Sequence, residues 1–174
     1  MKIDDFHTDE EISKINLKNR SLAYIADWIV KNINPKYMLT LTYRFDVTEE
    51  QAEKTLEKWQ VYMNRRLFPR GSGRYLKMIP FLETSSSGRY HWHILIEDLS
   101  DLKLKKNINT TKQDFRHWIA ETWNKINVSG EFYRLNGKDW LADIAENDIE
   151  KVSRYVLKQN KNENTSLCPD LIRK

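Results

Sequence analysis

Two histidines, His91 and His93, stand two apart in GRYHWHILIE (88–97), a run of strand-forming residue types. Successive strand side chains leave opposite faces of a sheet, so both imidazoles project from one face, about 6.6 Å apart along the chain. Neutral imidazole is the commonest protein ligand for divalent metals, and two on one face can reach a single ion. Two donors hold a metal poorly, so a third must come from elsewhere. Glu97 shares the face but lies about 13 Å beyond His93, outside a common coordination sphere. Glu83 is better placed. If YLKMIPFLE (75–83) pairs with RYHWHILIE (89–97) across the SSSG turn, Glu83 comes opposite His91, where paired Cβ atoms are about 5 Å apart. Two imidazoles and a carboxylate leave positions for water and a phosphate oxygen, and such a mixed set accepts Mg²⁺ or Mn²⁺ as well as Zn²⁺. The plainer alternative is a set of cross-strand polar residues. His7 and His117 have no such companions.

A second group lies in DIEKVSRYVLKQN (148–160), read as a helix. Ile149, Val152 and Val156 form one stripe; Lys151, Tyr155 and Lys158, at i, i+4 and i+7, form another about 115° away at about 100° per residue. Tyr155 therefore sits near the border between core and solvent. Positive charge on either side favours a phenolate, which is a competent nucleophile, and lysine can steady a phosphate under attack. An ordinary interfacial tyrosine would show the same spacing.

A third group is basic. Arg65, Arg66, Arg70 and Arg74 gather around Gly71 and Gly73, a patch that suits a polyanion, although a solvated loop can look the same. The whole chain is only mildly basic, with 29 Lys and Arg against 25 Asp and Glu in 174 residues. That length, with 40% hydrophobic residues, fits one domain with a core of its own. Cys168 is the only cysteine, which excludes a disulfide framework or a cysteine-built zinc site within the chain. The polar, acidic N-terminus is unlike a secretory or transit peptide, and no apolar run reaches the roughly 20 residues that span a bilayer. The expectation is a soluble cytoplasmic protein with no membrane partner.

The elements that must position these groups follow from periodicity. Thr8 with Glu11 opens a helix over about 9–32, carrying Ile12, Ile15, Leu22, Ile25 and Ile29. YMLTLTYR (37–44) reads as a strand. Thr48 with Gln51 opens a helix along Ala52, Leu56, Trp59, Met63 and Leu67, ending near Pro69. The runs 75–83 and 89–97 form an antiparallel hairpin, with Pro80 at an edge or a bulge. Residues 103–109 form a polar loop, and Thr111 with Asp114 opens a helix carrying Phe115, Trp118, Ile119, Trp123 and Ile126. One or two strands lie within 130–146 around Asn136-Gly137. Asn147 with Glu150 starts the last helix, and 161–174 reads as a frayed tail. The tryptophans fall at core spacings. The fold class is α+β, an antiparallel sheet of four to five strands with helices packed mainly on one face. The domain is single, with an N-terminal helix up to 34 and a core over 37–160.

In this order, the strand LTLTYR, Glu83 with the His91-Trp92-His93 motif, and YVLK on a late helix resemble the HUH endonuclease superfamily, specifically its rolling-circle replication initiators, over most of residues 37–158. The resemblance implies an RRM-like sheet and a divalent metal, Mg²⁺ or Mn²⁺, on Glu83, His91 and His93. It further implies that Tyr155 attacks single-stranded origin DNA, or an origin hairpin, to give a 5′-phosphotyrosine and a free 3′-OH. Lys158, and Lys151 beside it, would steady the charge, and the arginines would hold DNA phosphates. Position 159 is Gln, so no second tyrosine follows one turn on, and the pattern is that of a single-tyrosine enzyme. The chain has no G-x-x-x-x-G-K-[ST] loop, so a separate helicase would act with a host polymerase, unless the chain is part of a longer protein. The alternatives are a single-tyrosine HUH transposase, which shares the motif order, and a non-catalytic RRM-like module that binds nucleic acid.

Overall fold

The computed structural model describes residues 23–43, 45–100, 102, 104–105, 111–126, 140–159 and 165–167, with backbone alone for 156–159 and 165–167. Helix α1 covers 23–32 of the described chain; the expected capping pair Thr8 and Glu11, with Ile12, Ile15 and Leu22, lies outside it. Its end is closed at Ile33 and Asn34, whose N–H groups both reach the Ile29 carbonyl. Asn34 takes φ 47°, the left-handed turn that asparagine tolerates better than most residues. The chain then enters β1 (Pro35–Thr42), α2 (Glu49–Leu67), β2 (Met78–Thr84), β3 (Tyr90–Glu97), α3 (Lys112–Ile126), β4 (Leu141–Asp143), α4 (Ile149–Gln159) and β5 (Thr165–Leu167). The strands form one antiparallel sheet in the order β4-β1-β3-β2-β5.

Several boundaries follow the local chemistry expected of them. Thr48 caps α2 reciprocally: its hydroxyl accepts from the Gln51 N–H at 3.2 Å, and its own N–H donates to the Gln51 side chain at 2.9 Å. The Thr111 hydroxyl accepts from the Asp114 N–H at the start of α3. The turn joining β2 to β3 closes through the Ser85 and Arg89 backbones, with Gly88 at φ 80°.

Other expectations are corrected. α4 is entered through a 3₁₀ turn, Glu146–Asp148, whose N-cap position is Ala145 with no side-chain cap, so Asn147 and Glu150 do not form the expected start. Thr165–Leu167, inside the stretch expected to fray, adds β5 to the sheet by pairing with Phe81–Glu83. Pro80 lies just beyond that pairing, on a part of β2 that β5 does not reach, where a missing N–H costs no ladder bond. The hairpin expected at Asn136-Gly137 falls outside the described residues.

The helices are also shared between the two faces rather than gathered on one. α2 and α3 cover the face that carries Leu39, Leu41, Leu82, Trp92, Ile94 and Ile96. On the opposite face Ala26 and Ile29 of α1 join Ile79, Phe81, Leu95 and Ile149 in a second, smaller core. The amphipathic stripe of α1 required an apolar surface, and the first face was already filled by two helices. What remains open is one end of the second face, and the polar groups lie there.

The larger core fixes the strand that bears the histidines. Trp92 is fully buried; its indole N–H donates to the Tyr43 hydroxyl at 3.0 Å, and that hydroxyl donates to the Ala52 carbonyl on α2 at 3.2 Å. Burial of the phenol raises the Tyr43 pKa, so it stays a neutral donor and acceptor. Trp92 is thereby locked inward, and strand alternation turns both of its neighbours outward. Tyr43→Phe removes the acceptor and leaves the buried indole N–H unpaired, which should cost about 1–3 kcal/mol of stability in chemical denaturation.

Candidate metal centre and nucleophile helix

The second face changes character along the strands. Near α1 it is apolar, with Met38, Ile79, Phe81 and Leu95; toward the ends of β2 and β3 it becomes Thr40, Thr42, Glu83, His91 and His93. The register brings these together: Glu83 pairs with His91, Phe81 with His93, Thr40 with His93, and Thr42 with His91. One carboxylate oxygen of Glu83 lies 3.0 Å from His93 Nε2 and 3.3 Å from His91 Nε2. The imidazole rings meet edge to face, 86° apart in plane and 4.9 Å between centres.

These distances fit a metal centre. Two donors bound to one ion at about 2.1 Å lie about 3.0 Å apart at a right angle and about 3.4 Å apart at a tetrahedral angle. One donor atom from each residue falls within 4.8 Å of the other two, so the three can converge on a single cation. The side chains are about one-fifth exposed or less, enough for a substrate oxygen to enter. The electrostatics point the same way. The hydrogen bond from His93 holds the Glu83 carboxyl below its ordinary range, against the opposing effect of burial. Burial, helped by the neighbouring charge of His93, pushes the His91 pKa down. A carboxylate anion and a neutral imidazole are the forms that ligate.

Thr40 completes the arrangement, and the sequence reading did not single it out. Its hydroxyl is 3.2 Å from His93 Nδ1, the nitrogen that faces away from Glu83. A hydroxyl can donate or accept, so Thr40 holds the ring in place with either tautomer. Its backbone N–H is tied to the Trp140 carbonyl at 2.8 Å. Thr40→Val removes that hydroxyl while keeping the shape. It should weaken Mn²⁺ binding about tenfold by isothermal titration, whereas Thr40→Ser keeps it near the wild-type value.

Glu97 sits at the opposite end of β3. It is 8% exposed and accepts the Lys77 N–H at 2.6 Å, and burial raises its pKa. It pins the strands there and takes no part in the histidine cluster.

Tyr155 comes from α4, and α4 rests on the triad's own face of the sheet. Ile149 and Val152 pack with Phe81 and Leu95, and Phe81 pairs directly with His93. That stripe turns Tyr155 to the rim, where it is 54% exposed. Among the described residues no hydrogen bond or ion pair joins its hydroxyl to the triad. Lys151 is well exposed and leans toward Asp148 at 3.8 Å, and Arg154 is held by Glu150. The side chain of Lys158 lies outside the described residues.

The arginines separate. Arg66 turns to α3, bonding Glu121 at 2.6 Å and lying 5.6 Å from the ring centre of Trp118, so it joins helices rather than offering a free charge. Arg65, Arg70 and Arg74 line a cleft with Lys105, which the sequence reading left in an undifferentiated polar loop. His117 is exposed on α3, as expected of a surface residue. Trp59, Trp92 and Trp123 are fully buried, and the half-buried Trp28, Trp118 and Trp140 pack against the two cores.

Residues 36–160, which hold the triad and nearly all of α4, match the family model of the ORF2 type of replication-associated protein. The chain belongs to that family. Its members are rolling-circle replication proteins, as the order of Glu83, the histidine pair and the late helix led one to expect. Comparison with curated proteins and with solved structures gave no match. No helix among the described residues of this replication-associated chain is long and apolar enough to cross a membrane.

Proposed function

We propose that this chain initiates replication by cutting and rejoining single-stranded DNA through a covalent link to Tyr155. The observation that carries the reading is the convergence of Glu83, His91 and His93 on the sheet face against which α4 packs. The replication family favours an initiator over a transposase.

Tyr155 Oη bonds to the phosphorus of the scissile phosphodiester as the bond to the 3′ oxygen breaks. The phenol proton passes to solvent, and the departing oxygen takes up a proton to become the 3′-OH. The other strand end stays on the protein as a 5′-phosphotyrosine. A divalent ion, Mg²⁺ or Mn²⁺, bound by the triad supplies Lewis-acid polarisation of the phosphate. The protein's own groups do the rest. Glu83 supplies the anionic donor, Thr40 and Glu83 fix the His93 ring between them, and Lys158 with Lys151 offsets negative charge on the attacked phosphate. Attack on the phosphotyrosine by a later 3′-OH reverses the step and rejoins strands. A separate helicase and a host polymerase would extend the primer.

The test incubates the chain with Mn²⁺ and single-stranded DNA drawn from its own replicon, then looks for a nuclease-sensitive band of reduced mobility on a denaturing gel. An adduct that requires Mn²⁺ is expected. Its absence with every strand of the replicon, at any Mn²⁺ concentration, would overturn the reading.

A further inference from the structure

We infer that the cleft at the C-terminal end of α2 is a second DNA site, which grips the phosphate backbone of duplex DNA flanking the strand that is cut. The inference rests on the proposed function for its biological setting, but the site is built from separate residues. The cleft, of about 580 Å³, is lined by Arg65, Arg70, Arg74 and Lys105, and no carboxylate lines it.

Its floor is a tight turn. Gly71 and Gly73 take φ 75° and 66°, and the Ser72 N–H closes onto the Pro69 carbonyl at 3.1 Å. A Cβ added at either glycine would meet nothing within 4 Å, so the glycines serve the backbone's shape and leave the space above the turn open. Lys105 ties the cleft wall to the helix end: its N–H reaches the Leu67 carbonyl at 3.0 Å and its ammonium the Arg65 carbonyl at 2.6 Å. The negative end of the helix dipole helps to hold cations there.

Two features favour duplex over single strand. Proteins that track a single strand pair a basic groove with aromatic platforms for the bases. This lining holds one ring, Phe68, which is 3% exposed and cannot stack. Phosphate contacts alone position a duplex without reading it. The cleft also lies at the far end of β2 from the triad: Met78 starts the strand and Glu83 is five residues on, about 17 Å away. A strand cut at the triad can therefore have its flanking duplex held at the cleft by the same molecule.

The experiment measures binding by fluorescence anisotropy in EDTA, with a short duplex of arbitrary sequence and a single strand of equal length as probes. The variant carries Arg65→Gln, Arg70→Gln and Arg74→Gln; the control carries Lys36→Gln, Lys54→Gln and Lys58→Gln, which removes the same charge from exposed positions elsewhere. Each lost phosphate contact lowers the slope of log affinity against log salt by about 0.9, so the arginine variant should lose about 2.7 in slope and at least about tenfold in duplex affinity. Its single-strand affinity and its yield of covalent adduct should change less than about threefold, and the control should keep most of its duplex binding. Unchanged duplex affinity, an equal loss in the control, or an equal loss on the single strand would each overturn the site. If the wild type forms no adduct while the arginine variant alone loses duplex binding, the cleavage reading falls and the duplex site stands.

Discussion

Tyr155→Phe should abolish the covalent protein–DNA adduct while leaving the fold and Mn²⁺ binding as they are. The substitution removes one oxygen, the atom that would form the bond to phosphorus, and a phenyl ring has nothing to replace it. The ring itself is 54% exposed at the rim of α4, and among the described residues its hydroxyl makes no hydrogen bond, so the stability change should stay within about 0.5 kcal/mol. That separation matters, because most changes that end activity also disturb packing. The described part of α4 holds no second tyrosine, and position 159 is Gln. Peptide mapping of the wild-type adduct should place the DNA on the α4 peptide and not on the exposed Tyr24 or Tyr62. An adduct that persists in the Phe variant would remove Tyr155 from the reaction and leave the triad without its partner.

The parts of the site that were legible in the sequence are those set by local rules. Strand alternation put His91 and His93 on one face, and a short turn of Ser and Gly determined that Glu83 falls opposite His91, the register found in the sheet. Thr40 was not legible because β1 lies beside β3 through a pairing 53 residues apart, which no local periodicity encodes. Arg65 and Arg66 looked equivalent as letters. On a helix neighbouring residues diverge by about 100°, so one turns to the basic cleft and the other to Glu121 on α3. The apolar stripe of α1 announced that it would pack, but its partner surface depended on which face α2 and α3 had already taken. β5 has three residues, too few for a period to show, and exists through its pairing with β2.

Removing one donor from the triad should have an effect as large as removing the nucleophile, and it can be read without DNA. Wild-type protein saturated with Mn²⁺ at about 100 times its dissociation constant gains about 2.7 kcal/mol, a rise in melting temperature of roughly 5–10 °C for a domain of this size that EDTA abolishes. Glu83→Ala and His91→Ala should each lose that rise. Substituting an outer-shell group costs about 10–100-fold in metal affinity, so losing one of three direct ligands should cost at least about 100-fold. Glu83→Gln sharpens the case: the amide keeps the shape and can still bond to the imidazoles, but it carries no charge to attract a cation. Its metal-free stability should stay close to the wild type, with adduct formation recovered in part only at high Mn²⁺. A Glu83→Gln variant that binds Mn²⁺ as tightly as the wild type would show that the carboxylate serves only to hold the two histidines, and the ion would have to be sought elsewhere.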